Sequence, residues 1–339
     1  MSTSQISPQC AVIILNWNGA ALLREFLPSV VENTDAAYGR VIVVDNGSTD
    51  DSVCVLENEF PGVTLWKFSE NYGIAGGYNR ALEMADHQGF KYTVLLNSDV
   101  MTAPGWLEPL VTYLDEHPDA GAVQPKILSY KEPTMFEYAG ASGGFIDRHG
   151  YPYCRGRILG TCETDNGQYD SIIPIFWATG AALTVRTSMY RRLGGLDEAF
   201  FAHMEEIDLC WRILLSGSNI YVVPKSVVYH LGGGSLPASN PRKTYLNFRN
   251  NLLLLHKNLP DSTRSRKLFV RRLLDTVAWA RFVATFDFAN ASAVWRAHRD
   301  FAKMRKKYTS HPAVDLLDER NDTHRNILTD YYLLGRRTF

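Results

Sequence analysis

The order of apolar and polar positions in the first 125 residues switches repeatedly between two periods. Residues 11–15 are an unbroken apolar run that stops on Asn16-Trp17-Asn18-Gly19. Residues 20–33 follow with apolar positions at helical spacing. Residues 40–44 are β-branched and stop on Asp45-Asn46-Gly47-Ser48-Thr49-Asp50, after which a short helix is expected to about residue 60. Residues 63–68 alternate like a strand, 77–87 read as a helix, and 92–96 are again a buried-strand run. Residues 104–117 read as a helix with proline near its first turn. Strands alternating with helices predict an α/β protein with a mostly parallel, doubly wound sheet. The runs that begin at 11, 40 and 92 all end in polar clusters, and right-handed crossovers put those ends on one sheet edge. Ligands of open α/β sheets bind at that edge.

Beyond residue 125 the pattern loosens. Residues 126–175 are rich in Gly, Tyr and Pro and are expected to be mostly loops with short strands. Residues 176–185 read as a strand interrupted by Thr179-Gly180-Ala181, and 205–216 as a helix. Residues 220–223 and 226–230 read as strands on either side of Pro224, and 245–335 as mostly helical. The pattern divides the chain into a domain at 1–245 and a helical region at 246–339. Within the domain, two halves are expected, at about 10–125 and about 126–245.

Charge sharpens that division. Residues 241–339 hold 20 Lys+Arg and 9 Asp+Glu; the whole chain has 35 and 36, which leaves 15 and 27 for residues 1–240. The first part is therefore near −12 and the last near +11. Arg264, Arg266, Lys267, Arg271 and Arg272 precede the stretch "VAWARFVATFDFA", and Lys303, Arg305, Lys306 and Lys307 follow it. A basic amphipathic helix suits an anionic membrane surface. A solvated face or a homodimer contact accounts for it equally well. No nucleic-acid reading motif accompanies the charge, so nucleic acid is not an expected partner. No apolar run reaches the roughly 20 residues of a membrane span, and residues 1–9 lack the apolar stretch of a secretory signal. A cytosolic location is expected, at most peripheral on the inner face of the cell membrane. The five cysteines, at 10, 54, 154, 162 and 210, have no zinc-ligand spacing. Cys154 and Cys162 are far enough along the chain to pair, but reduced thiols are expected.

Several polar clusters admit both a structural and a chemical reading. Ser48, Thr49 and Asp50 are good helix caps; Asp45, at a strand end, can instead accept the imide N–H of a pyrimidine base. Residues 71–80, "NYGIAGGYNR", are a helix start whose amides, with Arg80, suit a diphosphate. Asn97-Ser98-Asp99 is either a turn or a source of one carboxylate for Mg²⁺ or Mn²⁺. Glu205, Glu206 and Asp208 are favourable charges at a helix N-terminus, or hold a general base whose pKa the cluster raises. His230 ends an apolar strand ahead of Gly232-Gly233-Gly234-Ser235; such a histidine is structural or a metal ligand.

Taken together and in order, "VIILNWNG", "VIVVDNGSTD", "ENYGIAGGYNRAL", "YTVLLNSDV", "WATGAALTVRTSMYRRLGGLDEAFFAHMEEIDLCWR" and "VVYHLGGGS" resemble the family 2 glycosyltransferases, of the GT-A fold, and their rhamnosyltransferase-like branch. The resemblance covers about residues 11–256, since "YLNFRNNLLLLHKNL" is similar to the tail of that branch. It implies an inverting transfer from a UDP- or dTDP-sugar, with dTDP-rhamnose a plausible case, to a glycan or lipid-linked glycan in cell-surface polysaccharide synthesis. It places Asn16, Asn18, Asp45, Asn46, Gly76, Asn79, Arg80 and Ser98 around the nucleotide, and Thr179, Gly180 and Ala181 along the sugar and acceptor site. It makes Asp99 the ligand of Mn²⁺ or Mg²⁺, with His230 a further ligand, and Glu206 the base. Two departures stand out. Asn97 replaces the first acid of the D-x-D-type motif, and a Glu-Glu pair replaces Glu-Asp, which leaves Glu205 and Asp208 as substitutes for the base. A transferase-derived protein that binds nucleotide sugars without catalysis is the alternative these departures raise.

Overall fold

The computed structural model describes residues 9–232 and 240–339. The polar residues 1–8 and Gly233-Gly234-Ser235 of the glycine run lie outside the described residues. The first part runs β1 (Cys10–Asn16), α1 (Ala20–Asn33), β2 (Gly39–Asp45), α2 (Ser52–Glu59), β3 (Thr64–Lys67), α3 (Gly73–His87), β4 (Tyr92–Leu96), β5 (Val100–Thr102) and α4 (Leu107–Glu116). It continues with β6 (Ala120–Ser129) and four short strands, β7 (Gly144–Ile146), β8 (Pro152–Cys154), β9 (Arg157–Ile158) and β10 (Thr161–Cys162). Then come β11 (Ile173–Pro174), β12 (Ala182–Arg186), α5 (Thr187–Arg192), α6 (Glu205–Leu215) and β13 (Asn219–His230). The C-terminal part is α7 (Pro241–Asn258), α8 (Asp261–Ala284), α9 (Phe288–Met304) and the short α10 (Leu316–Glu319).

The main sheet has the order β11-β13-β6-β12-β4-β1-β2-β3, with β5 paired to β13. β4, β1, β2 and β3 are parallel, as the alternating pattern requires. β12 enters antiparallel between β4 and β6 and welds the two halves into one sheet. Alternate residues of the buried strands face opposite layers. Ala11 and Ile13 look into one apolar cluster, and Cys10, Val12 and Ile14 into the other.

Residues 126–175 are loops with short strands, as expected, and β7–β10 form a small antiparallel sheet. Other expectations need correcting. The expected strand at 176–185 begins only at Ala182. Trp177 turns aside, bridging to Gly144 and donating its indole N–H to the Phe145 carbonyl at 2.8 Å. The two strands expected around Pro224 are one strand, β13. A register shift between Val223 and Val227 takes proline's missing donor out of the ladder. The boundary drawn at 245/246 falls inside α7, and Leu252–Leu255, Leu268 and Phe301 of the C-terminal helices belong to the core cluster of the sheet. All five cysteines are free thiols. No helix among the described residues is long and apolar enough to cross a membrane.

Candidate active site

The strand-end clusters converge as expected from the topology, but their polar atoms are largely spoken for. Asn16 and Asp45, paired in register at the ends of β1 and β2, are buried. The Asn16 amide donates to Asp45 Oδ1 at 3.3 Å, and the Ser48 backbone N–H donates to Asp45 Oδ2 at 3.0 Å. Asn16 Oδ1 is buried without a partner. Asn18 Oδ1 accepts from the Thr49 N–H at 2.7 Å, so its side chain braces the 45–50 turn. Asn46 does the same for the glycine loop. Its amide reaches Asn71 Oδ1 and the Gly73 carbonyl, and its oxygen accepts from the Tyr72 N–H. That bracing starts α3 at Gly73, four residues before its expected start.

On α3, glycine is required for close approach. A Cβ at Gly77 would lie 2.8 Å from both Leu15 methyls, and one at Gly76 3.2 Å from Tyr72 Cβ. Arg80 folds over the Tyr72 ring, 3.6 Å from its centroid, and donates to the Gly76 carbonyl at 3.1 Å. Asn79 is bonded to Tyr190 of α5 and to Leu196 after it. Its amide donates to the Leu196 carbonyl, and its oxygen accepts from the Tyr190 hydroxyl and the Leu196 N–H. Those three bonds tie the Asn79 side chain to the 190–196 segment.

Asp99 and His230 come together through β-pairing. Val100 opposes His230 in the β5–β13 register, which puts Asp99 Oδ1 3.2 Å from His230 Nε2. Asn97 Nδ2 lies 3.4 Å from the same nitrogen, and Ser98 between them is half-buried. On the other side of the ring, Glu137 Oε2 lies 3.4 Å from His230 Nδ1. This contact is close enough for an ion pair but off-line for a hydrogen bond, since Nδ1 has no aligned partner. Burial alone would raise the Asp99 carboxyl and lower His230. The pair's mutual hydrogen bond and charge outweigh burial, holding Asp99 low and, with Glu137, lifting His230 to about 10. One carboxylate and one imidazole can serve as a donor set for a divalent cation, which would have to displace the imidazole proton to bind. No cluster of three metal-ligating side chains exists among the described residues. A cation here would complete its shell with ligand oxygens and water. Nothing in the sequence around Glu137 marked it; it sits in a loop between β6 and β7.

The acid pair is presented by a strained turn. Phe201, His203 and Met204 have φ of 68°, 67° and 76°, which non-glycine residues rarely adopt. α7 holds this turn. Asn250 Nδ2 lies 2.9, 2.8 and 2.7 Å from the carbonyls of Phe200, Ala202 and His203, and Arg249 donates to the Phe200 carbonyl at 2.7 Å. Glu205 and Glu206 follow at the first turn of α6. Glu205 is buried and Glu206 partly exposed, and each has one carboxyl oxygen without a hydrogen-bond partner. Burial raises both pKa values, and the Glu206 charge adds to the effect on Glu205. A Cβ on Gly180 would lie 3.7 Å from Glu206 Cβ and Cγ, so Glu206 faces the 179–181 turn. Thr179 Oγ1 closes that turn on the Ala181 N–H, and the Asn97 N–H donates to the Ala181 carbonyl at 3.0 Å. Asp99 is thus linked through His230 and Asn97 to the 179–181 turn that Glu206 faces.

Asp208 does not belong to this group. It is fully buried one helical turn away, with Arg212, Lys257 and Asn258 all donating to its carboxylate at 2.9 Å. Lys257 also binds Asp197 at 2.7 Å. Both oxygens of the Asp208 carboxylate accept hydrogen bonds and the residue is buried, so the structure places it as an anchor for α7 rather than beside Glu205 and Glu206 as a substitute base.

Comparison with known proteins agrees with this geometry. The model of "Glycosyl transferase family 2" matches residues 11–163. The chain is 37% identical over 235 residues to "Rhamnosyltransferase WbbL" of Escherichia coli, covering 65% of this chain and 82% of that protein. It is 28% identical over 235 residues to the "N-acetylglucosaminyl-diphospho-decaprenol L-rhamnosyltransferase" of Mycobacterium tuberculosis, covering 65% and 75%. Among solved structures, GalNAc-T7 with UDP, GalNAc and Mn²⁺ superposes with a TM-score of 0.58 at 15% identity, over 76% of this chain and 49% of that longer one. A mannosyltransferase from Pyrobaculum calidifontis with GDP-Man and Mn²⁺ gives 0.52 at 17% identity, over 89% and 85%. These two likenesses show the fold, which is GT-A. The sheet, the strand-end cluster and the relatives agree: the chain belongs to glycosyl transferase family 2 and is a glycosyltransferase.

Proposed function

We propose that the protein transfers a sugar, with inversion, from a UDP- or dTDP-sugar to a glycan or lipid-linked glycan acceptor, and that Glu206 is its general base. The observation that carries this reading is the Glu206 carboxylate. One of its oxygens is buried without a hydrogen-bond partner, and its side chain faces the 179–181 turn that is hydrogen-bonded to the Asp99 loop. Burial keeps its pKa above the ordinary carboxylate range, which suits a base working near neutral pH. The Glu206 carboxylate takes the proton of an acceptor hydroxyl. The oxygen forms its bond to the anomeric carbon from the face opposite the diphosphate, whose bond to that carbon breaks. One displacement inverts the centre, and the nucleoside diphosphate leaves. Asp99 and His230 would hold a Mn²⁺ or Mg²⁺ ion, which supplies charge neutralisation for the diphosphate. Asp45, two of whose acceptor sites serve Asn16 and Ser48, keeps lone pairs for a pyrimidine imide. The amides at the start of α3 face the diphosphate. Glu205, more deeply buried, raises the proton affinity of the pair. The rhamnosyltransferase relatives support dTDP-rhamnose as donor, and the Mycobacterium tuberculosis relative supports a lipid-linked acceptor.

The test is a thermal-shift panel of UDP, dTDP, GDP and ADP, each with and without Mn²⁺, on wild type and Asp99→Ala. Metal-dependent stabilisation by UDP or dTDP that is lost in the variant is expected. No metal-dependent shift with any nucleotide would remove the donor-site reading.

A further inference from the structure

α8 is bound to the body of the protein by one side only. Leu268, Arg271 and Asp275 are its buried residues. The Arg271 guanidinium lies 3.8 Å from the Tyr151 ring centroid and bonds to Asp275, which in turn meets His298 of α9. The opposite side carries Phe269, Leu273 and Val277 at i, i+4 and i+8, and they are 71%, 58% and 64% exposed. Ala280 and Ala284 complete this stripe, and Phe286, at 80% exposed, closes it at the turn into α9. A stripe of large apolar side chains in water marks an interaction surface.

Its charge says what it meets. Arg272 and Arg281 flank the stripe, are exposed and make no salt bridge among the described residues. Between Asp261 and Asp287 the one acid is the buried Asp275, so the exposed side carries no negative charge. A second copy docking face to face would oppose these arginines to their own counterparts. An anionic lipid surface instead takes the apolar side chains between its acyl chains and pairs the arginines with headgroup phosphates. We infer that the Phe269–Leu273–Val277 face of α8, with Phe286 at its end, is a docking surface for an anionic membrane. The inference extends the lipid-linked acceptor reading but stands on exposure and charge alone, and it holds whether or not that acceptor is correct.

The test is flotation of the full chain with phosphatidylcholine vesicles and with phosphatidylcholine–phosphatidylglycerol vesicles, at low and raised salt. Variants are the triple change Phe269→Ser, Leu273→Ser, Val277→Ser and the double change Arg272→Glu, Arg281→Glu. All five residues are exposed, and unchanged melting and an unchanged UDP–Mn²⁺ thermal shift check that fold and donor site survive. Wild type is expected to float with the anionic vesicles, less so at raised salt, and not with the neutral ones. The triple change should lower the partition coefficient on the order of a hundredfold, and the charge change about tenfold or more. Wild type remaining unbound to anionic vesicles would overturn the inference, as would a triple variant that floats as well as wild type. A wild-type dimer in light scattering that the triple change makes monomeric, without flotation of either, would assign the face to a second copy instead. Failure here with an intact nucleotide shift leaves the transferase reading standing; loss of the nucleotide shift in wild type leaves the docking result standing.

Discussion

Asn250 offers a direct way to separate holding the active site from performing its chemistry. It touches no candidate substrate group, yet its amide is the described side-chain donor for the carbonyls of Ala202 and His203. In Asn250→Ala the Phe200 carbonyl keeps Arg249, but the other two lose their donor. A buried acceptor left without a partner costs about 1–3 kcal/mol. Three left-handed non-glycine residues at 201, 203 and 204 add strain of order 1–3 kcal/mol each, which the clamp offsets. The turn is therefore expected to relax rather than stay and bear both costs. Relaxation moves the start of α6, and with it Glu205 and Glu206. A displacement of about 1 Å at the reacting groups costs roughly a hundredfold in rate. The expected outcome is a kcat at least about a hundredfold lower with stability down by about 2 kcal/mol. Nucleotide affinity should be nearly unchanged, because α3 meets this segment at Glu198, ahead of the two carbonyls that lose their donor. The assay is donor hydrolysis or transfer under saturating donor, alongside UDP–Mn²⁺ titration and urea unfolding. A kcat within threefold of wild type would show that the strained turn holds itself, and would refute the argument.

Three further outcomes follow from the same geometry. Asp208→Asn strips a buried carboxylate from Lys257, Arg212 and Asn258. Stability should fall by about 2–4 kcal/mol while turnover per folded molecule persists, and a loss of turnover without a drop in melting temperature would return Asp208 to the active site. Glu137→Gln, which removes the charge facing His230 Nδ1, should weaken Mn²⁺ binding to the UDP-loaded protein about tenfold in calorimetric titration; equal affinity would leave Glu137 without a part in orienting the ring. The Glu206 carboxyl is raised by burial and works as the ionised base. The saturated rate should therefore rise with pH through a pKa above the ordinary carboxylate value and level off. Glu206→Gln should be flat and at least about a hundredfold slower; a titration in the wild-type profile that survives in this variant belongs to another group.

What the sequence made legible was whatever local pattern determines. The buried parallel strands announce themselves as apolar runs, and their polar ends mark the sheet edge, so the strand-end positions of Asp45 and Asp99 are legible from the pattern, while the roles expected of them came from the family resemblance. The direction in which a side chain points is not local. Asn79 and Asp208 lie within motifs, yet the first is turned toward Leu196 and the second toward α7, because partners far along the chain claim them. Glu137 and Asn250 were missed for the converse reason. Each gains its place from a loop or helix that folding brings alongside, and a lone Glu or Asn carries no periodic signal. The antiparallel entry of β12 was equally hidden, since a short apolar run has no direction until its neighbours are known.

That entry has a consequence for how the chain is made. β4 is complete early in translation, with β1 on one side and nothing on the other until β12 is synthesised. Synthesis at roughly 5–20 residues per second leaves that bare apolar edge waiting for seconds on the ribosome. An open edge is a template for pairing with other chains. The nascent protein thus passes through a window in which it should lean on chaperones. That window closes when β12 arrives, before His230 exists to join Asp99.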